Sequence, residues 1–170
     1  TPRWTRRFGA WLLAAGAALA TVPASAGGND YLDPAQAFRG SVRVQDMQTL
    51  EVRIDVAPAY HLYRERLSIE PASAGVALGA VEFPKGRIEY DATFKKDVEV
   101  LRGAVLIRVA VPARNGDLRL RVGYQGCADE GLCYSPQAAF VTASVADGRL
   151  LRASWQDDDG SPAATAVATA

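Results

Sequence analysis

From Leu50 to Val56 apolar and polar residues alternate without a break: Leu50, Val52, Ile54 and Val56 against Glu51, Arg53 and Asp55. The same period of two returns in Val105, Ile107, Val109 and Val111, and in Leu118, Leu120, Val122 and Tyr124 against Arg119 and Arg121. Successive side chains of a strand point to opposite faces, so each run predicts a strand with one buried and one wet face. Turn signals part the runs: Ala57-Pro58-Ala59, Pro71 to Gly75, Pro84-Lys85-Gly86, Arg102-Gly103 and Arg114-Asn115-Gly116-Asp117. Short alternating strands, frequent turns and no helical period imply an all-β chain folded as an immunoglobulin-like antiparallel β-sandwich. The architecture rests on strand count alone. The disulfide and core Trp of antibody domains are not expected, because Trp155, the only Trp after residue 26, is placed beyond the last strand. Ahead of the strands, Asp33 to Phe38 suits one helical turn, with Asp33 as cap and Pro34 in the first position.

The two ends of the chain read differently from this body. Arg3, Arg6 and Arg7, the apolar run Trp11 to Val22 and the small Ala24-Ser25-Ala26 stand in secretory order, so residues 1–26 are read as an export signal. The apolar run falls short of the roughly 20 residues a spanning helix needs, and no later segment could cross a bilayer as a helix. Residues 27–155 are the expected folded domain and 156–170 a disordered tail or linker, since "QDDDG" and "SPAATAVATA" carry neither alternation nor bulk. A chain of 170 residues, 49% hydrophobic, suits one packed domain. Its 19 basic and 19 acidic residues balance and are scattered, which argues against a nucleic-acid or anionic-membrane partner. Export places the mature protein where disulfides persist, in a Gram-negative bacterium the periplasm.

Cys127 and Cys133 are the only cysteines, both within "GCADEGLCYSP". They are either a structural staple or a redox couple. A disulfide here closes only seven residues; in the chain-entropy model so short a loop stabilises by roughly 2 kcal/mol, against about 4.7 for a 100-residue loop. A sandwich of this size has little need of so weak a staple. The flanking Gly126, Ala128, Gly131 and Ser135 are small, as close approach of a partner's backbone and sulfur requires. Asp129 and Glu130 suit a turn, and their carboxylates beside the thiols would disfavour thiolate until a partner docks. The single His61 stands in a strand and is expected to be a sheet histidine. A metal set of Cys127, Cys133, His61 and Met47 is disfavoured, because Cys-x5-Cys lacks the close spacing of common zinc sites.

The stretch "YQGCADEGLCYSP", residues 124–136, closely resembles the active-site segment of the N-terminal periplasmic domain of the thiol:disulfide interchange protein DsbD family. "YHLYRERLSIE" at 60–70 is similar to that family's Y-x-L-Y-R segment, and "YDATFKKDVEVLRG" at 90–103 falls where the family has its cap loop. The resemblance covers about residues 30–145 and implies an immunoglobulin-like fold with a redox-active cysteine pair on a hairpin and no bound cofactor. It implies that Cys133 enters the mixed disulfide with a partner and Cys127 resolves it. It further implies that Phe94, aligned by counting back from Glu99, Val100 and Leu101, shields the pair, that Tyr60 and Tyr63 line its surroundings and that Tyr134 packs beside Cys133. The implied partners are thioredoxin-like periplasmic proteins, among them disulfide isomerases and cytochrome c maturation thioredoxins, with a membrane electron donor.

The chain departs from the family pattern in two places. Lys95 and Lys96 follow Phe94 where the family often has Gly, and Ser135 stands where it often has Pro. With no multi-spanning or thioredoxin-like C-x-x-C segment, the chain is expected to take its reductant in trans, as a fragment of a larger protein or as a free-standing relay. The reading from a different class is an immunoglobulin-like binding module whose disulfide only shapes a recognition hairpin.

Overall fold

A computed structural model describes residues 31–72 and 74–158; the expected export signal and the chain beyond 158 lie outside the described residues. The alternating runs become strands. In chain order they are β1 (Phe38–Asp46), β2 (Thr49–Val56), β3 (Tyr60–Tyr63), β4 (Ser68–Pro71), β5 (Val81–Glu82) and β6 (Arg87–Asp91). β7 (Lys96–Leu101), β8 (Ala104–Ala110), β9 (Gly116–Tyr124), β10 (Gly126–Ala128), β11 (Gln137–Ala146) and β12 (Arg149–Asp157) complete the set. The single turn of α-helix, α1 (Pro34–Ala37), precedes β1 as the sequence predicts. Asp33 caps it with its backbone carbonyl, which accepts from Gln36 N and Ala37 N, and not with its carboxylate.

Among the described residues three four-stranded sheets form, in the orders β1-β2-β8-β5, β12-β11-β9-β4 and β10-β3-β7-β6, and their strand pairs are antiparallel. The first two form the sandwich. Leu50, Val52 and Ile54 of β2 and Val105, Ile107 and Val109 of β8 share one apolar cluster with Leu118, Leu120 and Val122 of β9 and Ala139, Val141 and Ala143 of β11. None of these is more than 2% exposed. The third sheet grows out of the sandwich: β3 continues from β2 through the Pro58-Ala59 turn, and β7 runs into β8 through Arg102-Gly103, with Gly103 in the left-handed region at φ 64°. Val56 N donates to Gly103 O at 2.9 Å and ties the two crossings together.

Two expectations change. Trp155 does not lie beyond the last strand; it belongs to β12, is 5% exposed, and lies over Gly40 of β1, where a Cβ would strike the indole ring. A large ring therefore closes the edge between β1 and β12, and β12 runs two residues past the boundary expected at 155. A bulge hides this strand in the sequence. Val145 pairs with Leu150 and Ser144 with Arg152, so Leu151 is left out of register and exposed, and the alternation changes phase in mid-strand. The polar face of β2 is also not wholly wet: Glu51 is buried to 7% exposure and accepts from Arg43 Nε at 2.7 Å. Among the described residues no helix is long and apolar enough to cross a membrane.

Candidate functional site

The cysteine segment is positioned by β3. Gln125 O accepts from Tyr63 N at 3.0 Å, and β10 then pairs antiparallel with β3, Gly126 opposite Leu62, Cys127 opposite His61 and Ala128 opposite Tyr60. The chain turns back at once. Gly131, at φ 104°, takes a conformation that side chains resist, and Ala128 N to Leu132 O and Tyr134 N to Gly126 O close the hairpin. Cys127 and Cys133 thereby face each other across an antiparallel bridge, Cα atoms 4.0 Å apart, and are joined by a disulfide. The two sulfurs are not equivalent. Cys127 is 2% exposed, whereas Cys133 is only partly buried, so an attacking thiolate reaches Cys133 more readily.

Gly126 is small for an internal reason. A Cβ there would collide with the His61 carbonyl and the Phe38 ring. Gly126 and Ala128 are buried, so the close approach expected from small residues is left to the exposed Gly131 and Ser135.

Alternation along β3 sorts the aromatic residues. Tyr63 and His61 share the face toward the pair, and Tyr60 and Leu62 take the other. Tyr63 Oη lies 3.0 Å from Cys127 Sγ and 3.9 Å from Cys133 Sγ. Tyr60, expected beside the pair, instead lies in the sandwich core, edge-on to Phe38 and stacked with Tyr134 at 6.3 Å. Tyr134 follows Cys133 in the chain but points away from it, packing on Phe38 and donating to Leu32 O. Both tyrosines anchor the hairpin from behind.

Phe94 sits at the tip of the β6–β7 hairpin, 43% exposed, its ring edge-on to Tyr63 at 5.6 Å. Lys95 turns this tip in the left-handed region at φ 53°. Asp91, unremarked in the sequence, organises the tip. Its Oδ1 accepts from Thr93 N at 2.7 Å and Phe94 N at 2.9 Å, and its Oδ2 accepts from Tyr63 Oη at 2.6 Å. Burial acts to raise the Asp91 pKa, but the hydrogen bonds from Tyr63, Phe94 and Thr93 outweigh it and hold the carboxyl below its ordinary value. The Tyr63 hydroxyl is pushed up, first by burial and then by the Asp91 carboxylate, and keeps its proton.

A second network holds the cysteine hairpin from the side. Asp129 accepts from Arg102 Nη1 at 2.9 Å on both oxygens and lies 2.9 Å from His61 Nδ1. Arg102 also donates to Tyr60 O and pairs with Glu89 at 2.9 Å. Burial pushes the Asp129 carboxyl up, yet His61 and Arg102 bring it below its ordinary value; the hydrogen bond from Arg102 does the same for Glu89. The negative charge expected from Asp129 is thus largely compensated, and the carboxylate that bears on the pair through Tyr63 is Asp91. Glu130 stands exposed in the turn. His61 is a sheet histidine, as expected, with the added position directly opposite Cys127.

These groups surround a cleft of about 270 Å³ that both cysteines, Tyr63, His61, Asp91 and Arg102 help to line. Among the described residues no three His, Cys, Asp or Glu side chains are grouped to hold a metal. Met47 is at the far end of β2, in the β1–β2 turn beside Leu150. Asp91, Arg102 and Glu89 escaped sequence reasoning; the one available signal was Asp91, three residues before Phe94 in the cap segment.

A sandwich with a disulfide across one end hairpin defines a class, the immunoglobulin-fold domains that carry a cysteine pair. Within it, the chain belongs to the DsbD N-terminal domain family, whose model, "Thiol:disulfide interchange protein DsbD, N-terminal", matches residues 28–145. It is 45% identical over 125 residues to the thiol:disulfide interchange protein DsbD of Ralstonia nicotianae, covering 74% of this chain and 20% of that protein. It is 40% identical over 112 residues to DsbD 1 of Pseudomonas aeruginosa, 65% of this chain and 19% of that one. The chain thus spans about a fifth of the curated relatives it matches. Among solved structures, the reduced N-terminal domain of Neisseria meningitidis DsbD aligns with TM-score 0.59 at 26% identity, covering 73% of this chain and 96% of that one. The same organism's DsbD N-terminal domain in complex with a PilB N-terminal domain aligns with TM-score 0.55 at 28% identity, covering 65% and 84%.

Proposed function

We propose that the chain is a periplasmic thiol:disulfide exchange domain that cycles between the Cys127–Cys133 disulfide and a dithiol. Electrons come from a membrane or thioredoxin-like reductase in trans and pass to thioredoxin-like partners. The observation that carries this reading is the asymmetry of the pair: Cys127 is 2% exposed and touches Tyr63 Oη at 3.0 Å, while Cys133 is the more reachable sulfur beside the cleft. In the reducing direction the Cys133 thiolate attacks a partner disulfide, one partner sulfur leaves as thiolate, and a mixed disulfide forms. Cys127, as thiolate, then attacks Cys133 Sγ, restoring the internal disulfide and releasing the second partner thiolate. Phe94 covers the pair between encounters. A complex between a related DsbD domain and a PilB domain supports a protein partner at such a domain.

Equilibration in glutathione and dithiothreitol buffers tests the reading. A midpoint on the order of −200 to −270 mV supports a relay, and a pair still oxidised well below about −300 mV would make it a staple and leave the hairpin a binding module. Cys127→Ala should leave Cys133 able to hold a partner in a persistent mixed disulfide.

A further inference from the structure

Asp91 joins two things that need not have been joined. Its Oδ1 holds the tip that carries Phe94, and its Oδ2 holds the proton of the Tyr63 hydroxyl, whose oxygen is 3.0 Å from Cys127 Sγ. A phenol has one proton to donate. At 2.6 Å from an ionised carboxylate it donates there, so with the tip seated the sulfur faces only the oxygen's lone pairs.

The geometry points to Asp91 as a positioning residue that switches Tyr63: with the tip seated it diverts the Tyr63 hydroxyl from Cys127, and with the tip displaced it frees that hydroxyl to stabilise the Cys127 thiolate. The inference rests on the exchange reading above. When a reductant thiolate attacks Cys133 Sγ, the Sγ–Sγ bond breaks, its electron pair goes to Cys127 Sγ, and a mixed disulfide with Cys133 forms. Cys127 leaves as thiolate, and its departure is helped by an O–H donor. A second reductant thiolate then attacks the reductant sulfur of the mixed disulfide and releases Cys133. Displacement of the tip by a partner therefore does more than uncover the pair. It takes away the carboxylate that held the Tyr63 proton and improves the leaving group in the same motion. Of the other titratable and charged groups around the pair and Tyr63, His61, Asp129, Arg102 and Glu89 are engaged with one another, and Glu65 pairs with Lys96 at 3.4 Å.

The test is the rate of disulfide reduction by dithiothreitol in the whole chain and in Asp91→Asn, Tyr63→Phe and the double variant. In Asp91→Asn the side-chain amide oxygen still accepts from Thr93 and Phe94 N–H, so the tip keeps its turn while the charge is lost. Asp91→Asn should react about tenfold faster, the order expected for a hydrogen bond to a charged group partly formed at the barrier. Tyr63→Phe and the double variant should react no faster than the parent. If Asp91 merely fastens the tip, Tyr63→Phe breaks the same link and reacts as fast as Asp91→Asn, which would overturn the proposal. With Cys133→Ala leaving one thiol, the ultraviolet thiolate absorbance of Cys127 should appear roughly one pH unit lower in Asp91→Asn. Adding Tyr63→Phe should reverse most of that shift; a shift that survives it would reduce Asp91 to a remote charge and sink the switch. A pair that stays oxidised throughout the graded buffers fails the exchange reading whatever the rates, whereas a relay-range midpoint with a fast Tyr63→Phe fails the switch alone.

Discussion

Two apolar clusters divide the work of this domain. The sandwich core is filled from both main sheets by aliphatic side chains such as Leu50, Ile107, Leu118 and Leu120, each without measurable exposure. The second cluster is small: Tyr63, Val98, Val100 and Cys127, with Cys133 packed against it. It holds the Tyr63 hydroxyl and both sulfurs, and its neighbours are ion pairs whose side chains are more than a third exposed. The difference separates stability from reactivity. The pair assigned to exchange thus sits in the small cluster, outside the one that fills the sandwich.

Breaking the large cluster should have the largest effect. Leu120→Ala, wholly buried in β9, should destabilise by about 2–5 kcal/mol in urea unfolding and leave the redox midpoint of the pair almost unmoved. Reduction of Cys127–Cys133 should lower stability by only about 2 kcal/mol, the chain-entropy contribution of a seven-residue loop, with the unfolding slope nearly unchanged. A much larger loss would mean that the small cluster supports the sandwich. Arg102→Ala should cost about 1 kcal/mol or less, because its pairs with Glu89 and Asp129 are well solvated, yet it should speed amide exchange in the cysteine hairpin selectively.

Acid sharpens the same contrast. Asp91, Asp129 and Glu89 are held below their ordinary pKa values in the folded chain, so the unfolded chain binds more protons near pH 4. Their contribution is complete above about pH 5 and is lost as the pH falls through the folded values. Exchange of the Thr93 and Phe94 amides, corrected for intrinsic rate, should therefore rise between about pH 5 and 3 while that of core strand β2 holds. Smallest is Lys95→Gly. Relief of a left-handed backbone, roughly 1–2 kcal/mol, exceeds the entropic cost of Gly, roughly 0.5–1, so the denaturation midpoint should rise slightly.

The sequence made β2, β8 and β9 legible, since their inward apolar positions follow period two, although β8 ends at Ala110, one residue short of the expected run, and Glu51 is buried on the face expected to be wet. It also carried the cysteine segment and the cap segment. Part of what it missed was readable: Tyr60 and Tyr63 are three residues apart in one strand, so they cannot face the same way. The rest was not. Trp155 was lost because the bulge at Leu151 breaks the alternation, and Arg102 and Glu89 carry no local pattern that points at a cysteine more than 20 residues away.

The sequence by itself determined strands β2, β8 and β9, the aliphatic core they supply and the identity of the sulfur pair, because side-chain alternation and turn chemistry are properties of a few consecutive residues. Only the tertiary structure decided that Cys127 is buried and Cys133 reachable, that His61 stands opposite the pair, and that one carboxylate holds both the Phe94 tip and the Tyr63 proton. Those facts depend on which strands pair and in what register, and a shift of one residue in the β3–β10 pairing would turn Cys127 away from the face that carries His61 and Tyr63.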